Sequence, residues 1–152
     1  MRAYMPTTDL LDINVWLALA DENHAHHQPA RGYWDREAAR QLAFTRVTML
    51  GLLRLLTNKT VMAGNPFTVA EAWSAYQAFR ALPEVMWIDE PNLVATQADE
   101  ALGEWSKTSG FSSLHWTDGH LASLAHATGS RLVSFDNGFQ RYRGLTFLHL
   151  PH

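Results

Sequence analysis

The sequence predicts a single α/β domain, residues 1–152, built on a central, mostly parallel sheet. Three observations predict it. Short apolar runs of strand composition recur with helical stretches between them, the pattern of parallel strands joined by crossover helices. Those helical stretches carry their own start and stop signals. A chain of 152 residues can bury one core without covalent staples, and this one contains no cysteine.

The elements follow in order. "LLDI" (Leu10 to Ile13) reads as the first strand, with Asp12 at its charged tip and Asn14 at the start of the next helix. "LAFT" (Leu42 to Thr45) is the second strand, and a helix opens after it. Thr68 and Glu71 form a capping box for a helix carrying Ala72, Tyr76 and Phe79 at helical spacing, and Pro83 stops it. The loop before it is "VMAGNPF", Val61 to Phe67. "VMWI" (Val85 to Ile88) is the third strand. In "TDGHLASLAHATG", Thr117 is the expected cap, Leu121, Leu124 and Ala125 share a face, and Gly129 terminates the helix. "RLVSF" (Arg131 to Phe135) and "LTFLHL" (Leu145 to Leu150) complete the strands. No repeat, low-complexity tract or interdomain linker interrupts the series.

Composition narrows the function classes. Without cysteine, disulfides and thiolate metal sites are excluded, so a metal would sit on carboxylates or histidines. No apolar run reaches the about 18 residues of a membrane span, and Met1 to Asp9 lacks the layout of a signal peptide. A cytoplasmic protein with no membrane partner is therefore expected. The net charge of −3 supplies no global basic field, so nucleic-acid binding would need a local patch.

Acids at strand ends are the chemical signal. In open parallel sheets, chemistry collects outside the carboxyl ends of the strands. Asp12 ends the first strand, Asp136 follows "RLVSF", and Asp118 opens the helix before that strand. A lone carboxylate in an apolar run costs several kcal/mol of desolvation unless compensated, and three together repel one another. A divalent cation would relieve both, and hard oxygen ligands suit Mg²⁺ or Mn²⁺. Each acid alone is equally well explained as a helix cap or turn former. The joint pattern favours the site.

"LLDINVWLAL", "TRVTMLGLLRLLTN", "TDGHLASLA" and "RLVSFDNGF" together, in order and spacing over almost the whole chain, resemble the PIN-domain nucleases, and within them the VapC-type toxins of bacterial toxin–antitoxin systems. The resemblance implies a three-layer α/β/α fold, acidic residues holding Mg²⁺ or Mn²⁺, and endonucleolytic cleavage of structured RNA such as tRNA or rRNA loops. By position it assigns Asp12, Asp118 and Asp136 as catalytic and metal-binding residues. Asn14, Thr48 and Thr117 become polar neighbours, and Arg54 a contact for substrate phosphate. It further implies a homodimer silenced by a small VapB-type antitoxin. Two positions depart from the family: Gly51 and its neighbours offer no acid where a Glu is usual, and Gly138 stands where a second Asp often follows the "F-D" pair. One tightly held metal is accordingly expected rather than two.

Other features have competing readings. His24 and His27 share a face if "HAHH" is helical, yet no acid or cysteine completes a zinc set, and a polar helix start is the simpler account; His26 or His27 would be weak RNA contacts. Trp116, beside Thr117 and Asp118, is the aromatic best placed for RNA. Arg46, Arg54, Lys59, Arg131, Arg141 and Arg143 form either a phosphate track or scattered surface charge. Leu52, Leu53, Leu55 and Leu56 serve either the core or an antitoxin surface. A phosphatase-like or receiver domain would need a second Asp at position 14 and a Lys after a late strand, and the chain offers neither. The remaining alternative is a non-catalytic PIN-like module binding RNA or a partner protein.

Overall fold

The computed structural model describes residues 7–151; the first six residues of the expected domain, which include most of the Met1 to Asp9 stretch, and residue 152 lie outside it. Five strands, β1 (Thr8–Leu11), β2 (Gln41–Phe44), β3 (Val85–Trp87), β4 (Arg131–Ser134) and β5 (Phe147–His149), form one sheet in the order β3-β2-β1-β4-β5. Every pairing is parallel, so the sheet is wholly rather than mostly parallel. Six α-helices connect and cover it: α1 (Ile13–Ala20), α2 (His27–Arg36), α3 (Arg46–Leu56), α4 (Val69–Arg80), α5 (Asn92–Ser106) and α6 (Trp116–Ala127).

Strand alternation divides the helices between two faces. Leu11, Leu42, Phe44 and Val133 point into a core shared with α1 to α4, where Trp16 stacks on Phe44 at 3.8 Å. Leu10, Ala43 and Leu132 point the other way and meet α5 and α6 through Trp105, Leu121 and Leu124. Three layers result, with the central strands β2, β1 and β4 buried on both sides. Full burial of side chains such as Leu10 and Leu11 contributes roughly 1.5–3 kcal/mol each. Among the described residues, no helix is long and apolar enough to cross a membrane.

Several local expectations hold and others are corrected. The Thr68/Glu71 capping box is present. Gly129, at φ +67°, ends α6 in a Schellman motif in which the Ser130 N–H reaches the Ala125 carbonyl at 2.8 Å. The first strand stops at Leu11, not Ile13, because the Asp12 carboxylate accepts the Ile13 N–H at 2.8 Å and turns the chain into α1. Thr117 does not cap α6. Ser112 opens a 3₁₀ turn over Ser113–His115 that runs directly into the helix, so the chain is already helical at Trp116 and Thr117 lies exposed in the first turn. Leu52 and Leu56 are fully buried, which assigns them to the core, while Leu53 and Leu55 pack against the same core and remain partly exposed.

Candidate active site

The strand order places a topological switch point between β1 and β4: from β1 the chain proceeds to β2 and β3 on one side, while β4 and β5 lie on the other. A crevice opens outside the carboxyl ends of the strands at such a point. Asp12 follows β1 and Asp136 follows β4, so the topology alone sets these two acids on either side of it.

Asp12 is 8% exposed. Besides the Ile13 N–H, its carboxylate accepts the Ser134 hydroxyl at 2.7 Å, and its backbone N–H reaches the Val133 carbonyl at 2.9 Å. Burial pushes its pKa up to about 6; the two hydrogen bonds pull it down, and the charges of Asp118 and Asp136 add to the rise. Asp118, in the first turn of α6, is raised by partial burial and then by the Asp136 charge. Asp136 is exposed, and its carboxylate takes the Gly138 N–H at 2.8 Å. None of the three has a Lys or Arg partner among the described residues. The cluster therefore carries negative charge that no Lys or Arg neutralises, and His115 alone acts on Asp118 in the lowering direction.

Asn14 fastens this arrangement. Its Nδ2 donates to Ser134 Oγ at 3.1 Å and its Oδ1 accepts the Phe135 N–H at 3.3 Å, clamping the start of α1 to the end of β4. Sequence reasoning missed the hub of the network. Ser134, fully buried, donates to Asp12 and accepts from Asn14 and from the Asp136 N–H at 2.9 Å. The available signal was a hydroxyl in an otherwise apolar strand, two residues before Asp136. Tyr142 was missed as well. It is buried, and burial followed by the Asp118 charge raises its hydroxyl to about 12, so it stays protonated.

The other expected site residues have local partners of their own. Thr48 is fully buried in a capping box with Thr45: its hydroxyl accepts the Thr45 N–H at 2.9 Å, so it shapes the start of α3 and offers no surface. Arg54 lines a shallow apolar depression of about 230 Å³ with Val69 and Trp73, between α3 and α4. Trp116 is 52% exposed, edge-on to Phe111 at 4.9 Å. Arg131 leaves the phosphate track altogether, since it pairs with Asp9 at the start of β1. His24 and His27 do not share a helical face, because α2 begins only at His27, whose Nδ1 lies 2.7 Å from the Ala18 carbonyl.

The two departures from the family pattern have steric reasons. A Cβ at Gly51 would lie 2.2 Å from Ile13 Cδ1, so a side chain there would require the Ile13 side chain to move from the space it fills. A Cβ at Gly138 would lie 3.0 Å from Asp136 Oδ1, crowding the carboxylate turned over the Gly138 N–H.

Among the described residues, no three carboxylate or imidazole groups converge closely enough to enclose a metal ion unaided. The donor chemistry nevertheless fits a hard divalent cation: three mutually repelling carboxylates, one of them buried, with no Lys or Arg partner.

Comparison with known proteins gives a consistent result. The family model described as PIN domain matches residues 10–145. Ribonuclease VapC41 of Mycobacterium tuberculosis is 37% identical over 145 residues, covering 90% of this chain and 94% of that protein. Ribonuclease VapC39 of the same organism is 34% identical over 130 residues, covering 85% and 88%. Among solved structures, Mycobacterium tuberculosis VapC20, a sarcin-ricin-loop-cleaving toxin, superposes with a TM-score of 0.67 at 17% identity over 94% of this chain and 99% of that one. VapBC2 from Rickettsia felis, bound to promoter DNA, gives 0.66 at 15% identity, over 95% and 99%. At those identities the structural likenesses speak for the fold. With the family match and the two relatives, they establish that the chain belongs to the PIN-domain family, in its VapC branch.

Proposed function

We propose that this protein is a metal-dependent endoribonuclease, the toxin of a toxin–antitoxin pair, hydrolysing phosphodiester bonds in structured RNA. The observation that carries the reading is the carboxylate cluster at the switch point, which no Lys or Arg neutralises, in a chain whose relatives are named as ribonucleases. Asp12, Asp118 and Asp136 would hold Mg²⁺ or Mn²⁺. Bound there, the cation would supply a water of lowered pKa and stabilise charge on the phosphate.

The chain's own residues set the stage. Ser134 and the Ile13 N–H orient Asp12, the Gly138 N–H orients Asp136, and Asn14 keeps the two strand ends in register. Trp116, half-exposed and two residues before Asp118, offers a face on which an unpaired base can stack. Unpaired loops, of tRNA or rRNA, are the expected substrate, because sequence-specific RNA recognition overwhelmingly targets splayed-out bases. A VapB-type antitoxin presenting a basic side chain would find its counter-charge in the same cluster, and a second copy of the chain is the expected dimer partner.

The test is cleavage of total bacterial RNA by purified, antitoxin-free protein, with Mg²⁺ or Mn²⁺ against chelator, comparing the parent with Asp12→Asn. Discrete fragments that vanish with chelator and fall at least about 100-fold in the variant are expected, since one metal ligand is lost. Intact RNA under every metal, from folded parent protein, would instead favour a non-catalytic module that binds RNA or a partner.

A further inference from the structure

The β4–β5 side of the rim holds a cavity that adjoins the carboxylate cluster. It measures about 650 Å³, within the roughly 300–1,000 Å³ of small-ligand sites, and is lined by His24, His26, Phe135, Asn137 and His149. Asn14 and Asp136 belong to its lining too, so it is continuous with the carboxylate cluster. We propose that this cavity is a nucleobase subsite, taking the uncharged heteroaromatic ring of a nucleotide beside the scissile phosphate, with His26 as the stacking residue. The proposal rests on the ribonuclease reading for the identity of the polymer.

The wall of the cavity is aromatic. The His26 ring lies on the Phe135 ring with centroids 4.7 Å apart and planes 28° apart, and His24 sits 5.5 Å from His26. A planar base suits an aromatic wall of this kind. The edges are polar in a defined sense. His24 Nδ1 accepts the His26 N–H at 3.0 Å, so the neutral His24 ring carries its proton on Nε2 and donates from there. Burial, then the neighbouring His26, pulls His24 below its ordinary pKa and favours that neutral form. His149 Nε2 lies 3.0 Å from the Phe135 carbonyl and must donate to it, which fixes the ring beside the cavity. The Asn137 amide supplies both a donor and an acceptor. This is a set of groups suited to the hydrogen-bonding edge of a base. No Lys or Arg lines the cavity, and its one carboxylate, Asp136, is negative, so the lining offers an anion no Lys or Arg counter-charge.

The experiment is an NMR titration of ¹⁵N-labelled protein in chelator with adenosine, guanosine, cytidine, uridine and, as the base-less control, methyl ribofuranoside. At least one nucleoside is expected to shift His24, His26, Asn137 and His149 signals saturably, with the ribofuranoside at least tenfold weaker. His26→Ala should lose about tenfold in affinity, the scale of one base–aromatic stack, while His26→Phe stays within about threefold of the parent. Asn137→Ala, an exposed position, should alter the preference among the four bases and leave the fold untouched. The proposal is overturned if all four nucleosides behave as the ribofuranoside, if the shifts fall elsewhere, or if His26→Ala binds like the parent. Because the titration needs neither metal nor cleavage, nucleoside binding by a protein that fails to cut RNA would support the subsite and sink only the nuclease reading.

Discussion

Asp9 and Asp12 stand three residues apart at β1, both buried, and the fold treats them in opposite ways. Asp9, fully buried, receives four hydrogen bonds: two from Arg131 at 2.8 and 2.9 Å, one from the Tyr33 hydroxyl, and one from the Ala39 N–H at 3.0 Å. Burial, followed by the Asp9 charge, holds the Tyr33 hydroxyl protonated, above its usual range. Arg131 also donates to the Glu37 carbonyl at 2.9 Å, so the pair ties the starts of two strands to the end of α2. Asp12 receives two bonds, no cation, and two negative neighbours. A compensated buried acid is a structural joint. One left partly compensated among like charges, in a crevice, marks a functional site.

The largest effect is expected from Asp9→Asn, which strands Arg131 without its counter-charge. Loss of one partner of a buried pair costs about 3–5 kcal/mol, so urea unfolding should show a deep fall in stability, with cleavage per folded molecule unchanged. A loss below about 1 kcal/mol would put the pair in the class of surface bridges and dissolve the contrast.

Asp12→Asn is expected to act in the opposite direction. The folded protein holds the Asp12 proton up to about pH 6, against an ordinary value of 3.8. The carboxylate's cost is therefore absent below about pH 4, grows as pH rises, and is complete above about 6. In chelator near pH 8 the variant should be more stable than the parent by up to about 3 kcal/mol, the gap closing towards pH 4. Mn²⁺ should then raise the melting temperature of the parent more than that of the variant. Equal stability of the two at pH 8 would mean that Asp12 is as well compensated as Asp9.

Ser134→Ala gives the smallest and most specific effect. It removes the hydroxyl that lowers the Asp12 pKa, so the titration of the Asp12 carboxyl, followed by NMR, should move above about 6, with a stability loss of about 1–2 kcal/mol. A titration that does not move would place the control of Asp12 elsewhere.

Much of this was legible in the sequence because its signals are local. Five apolar runs gave five strands, the Thr68/Glu71 box started α4, and Gly129 ended α6, since each depends on residues within one turn of one another. Asp12, Asp118 and Asp136 were legible as acids beside strand and helix ends. The errors came where a neighbouring element decides the outcome. Thr117 has the chemistry of a cap, but the 3₁₀ turn from Ser112 had already taken that task. Arg131 has the charge of a phosphate ligand, but strand pairing sets it against Asp9. Thr48 has a polar side chain, but the cap of α3 encloses it.

By itself the sequence determined the alternation of elements, the apolar character of the strands and the identity of the three acids, because periodicity, capping and polarity are properties of short stretches of chain. Tertiary structure alone decided which acids are compensated. That depends on residues 122 positions apart, Arg131 reaching back to Asp9 and Ser134 reaching back to Asp12, which only the parallel pairing of β1 with β4 brings together.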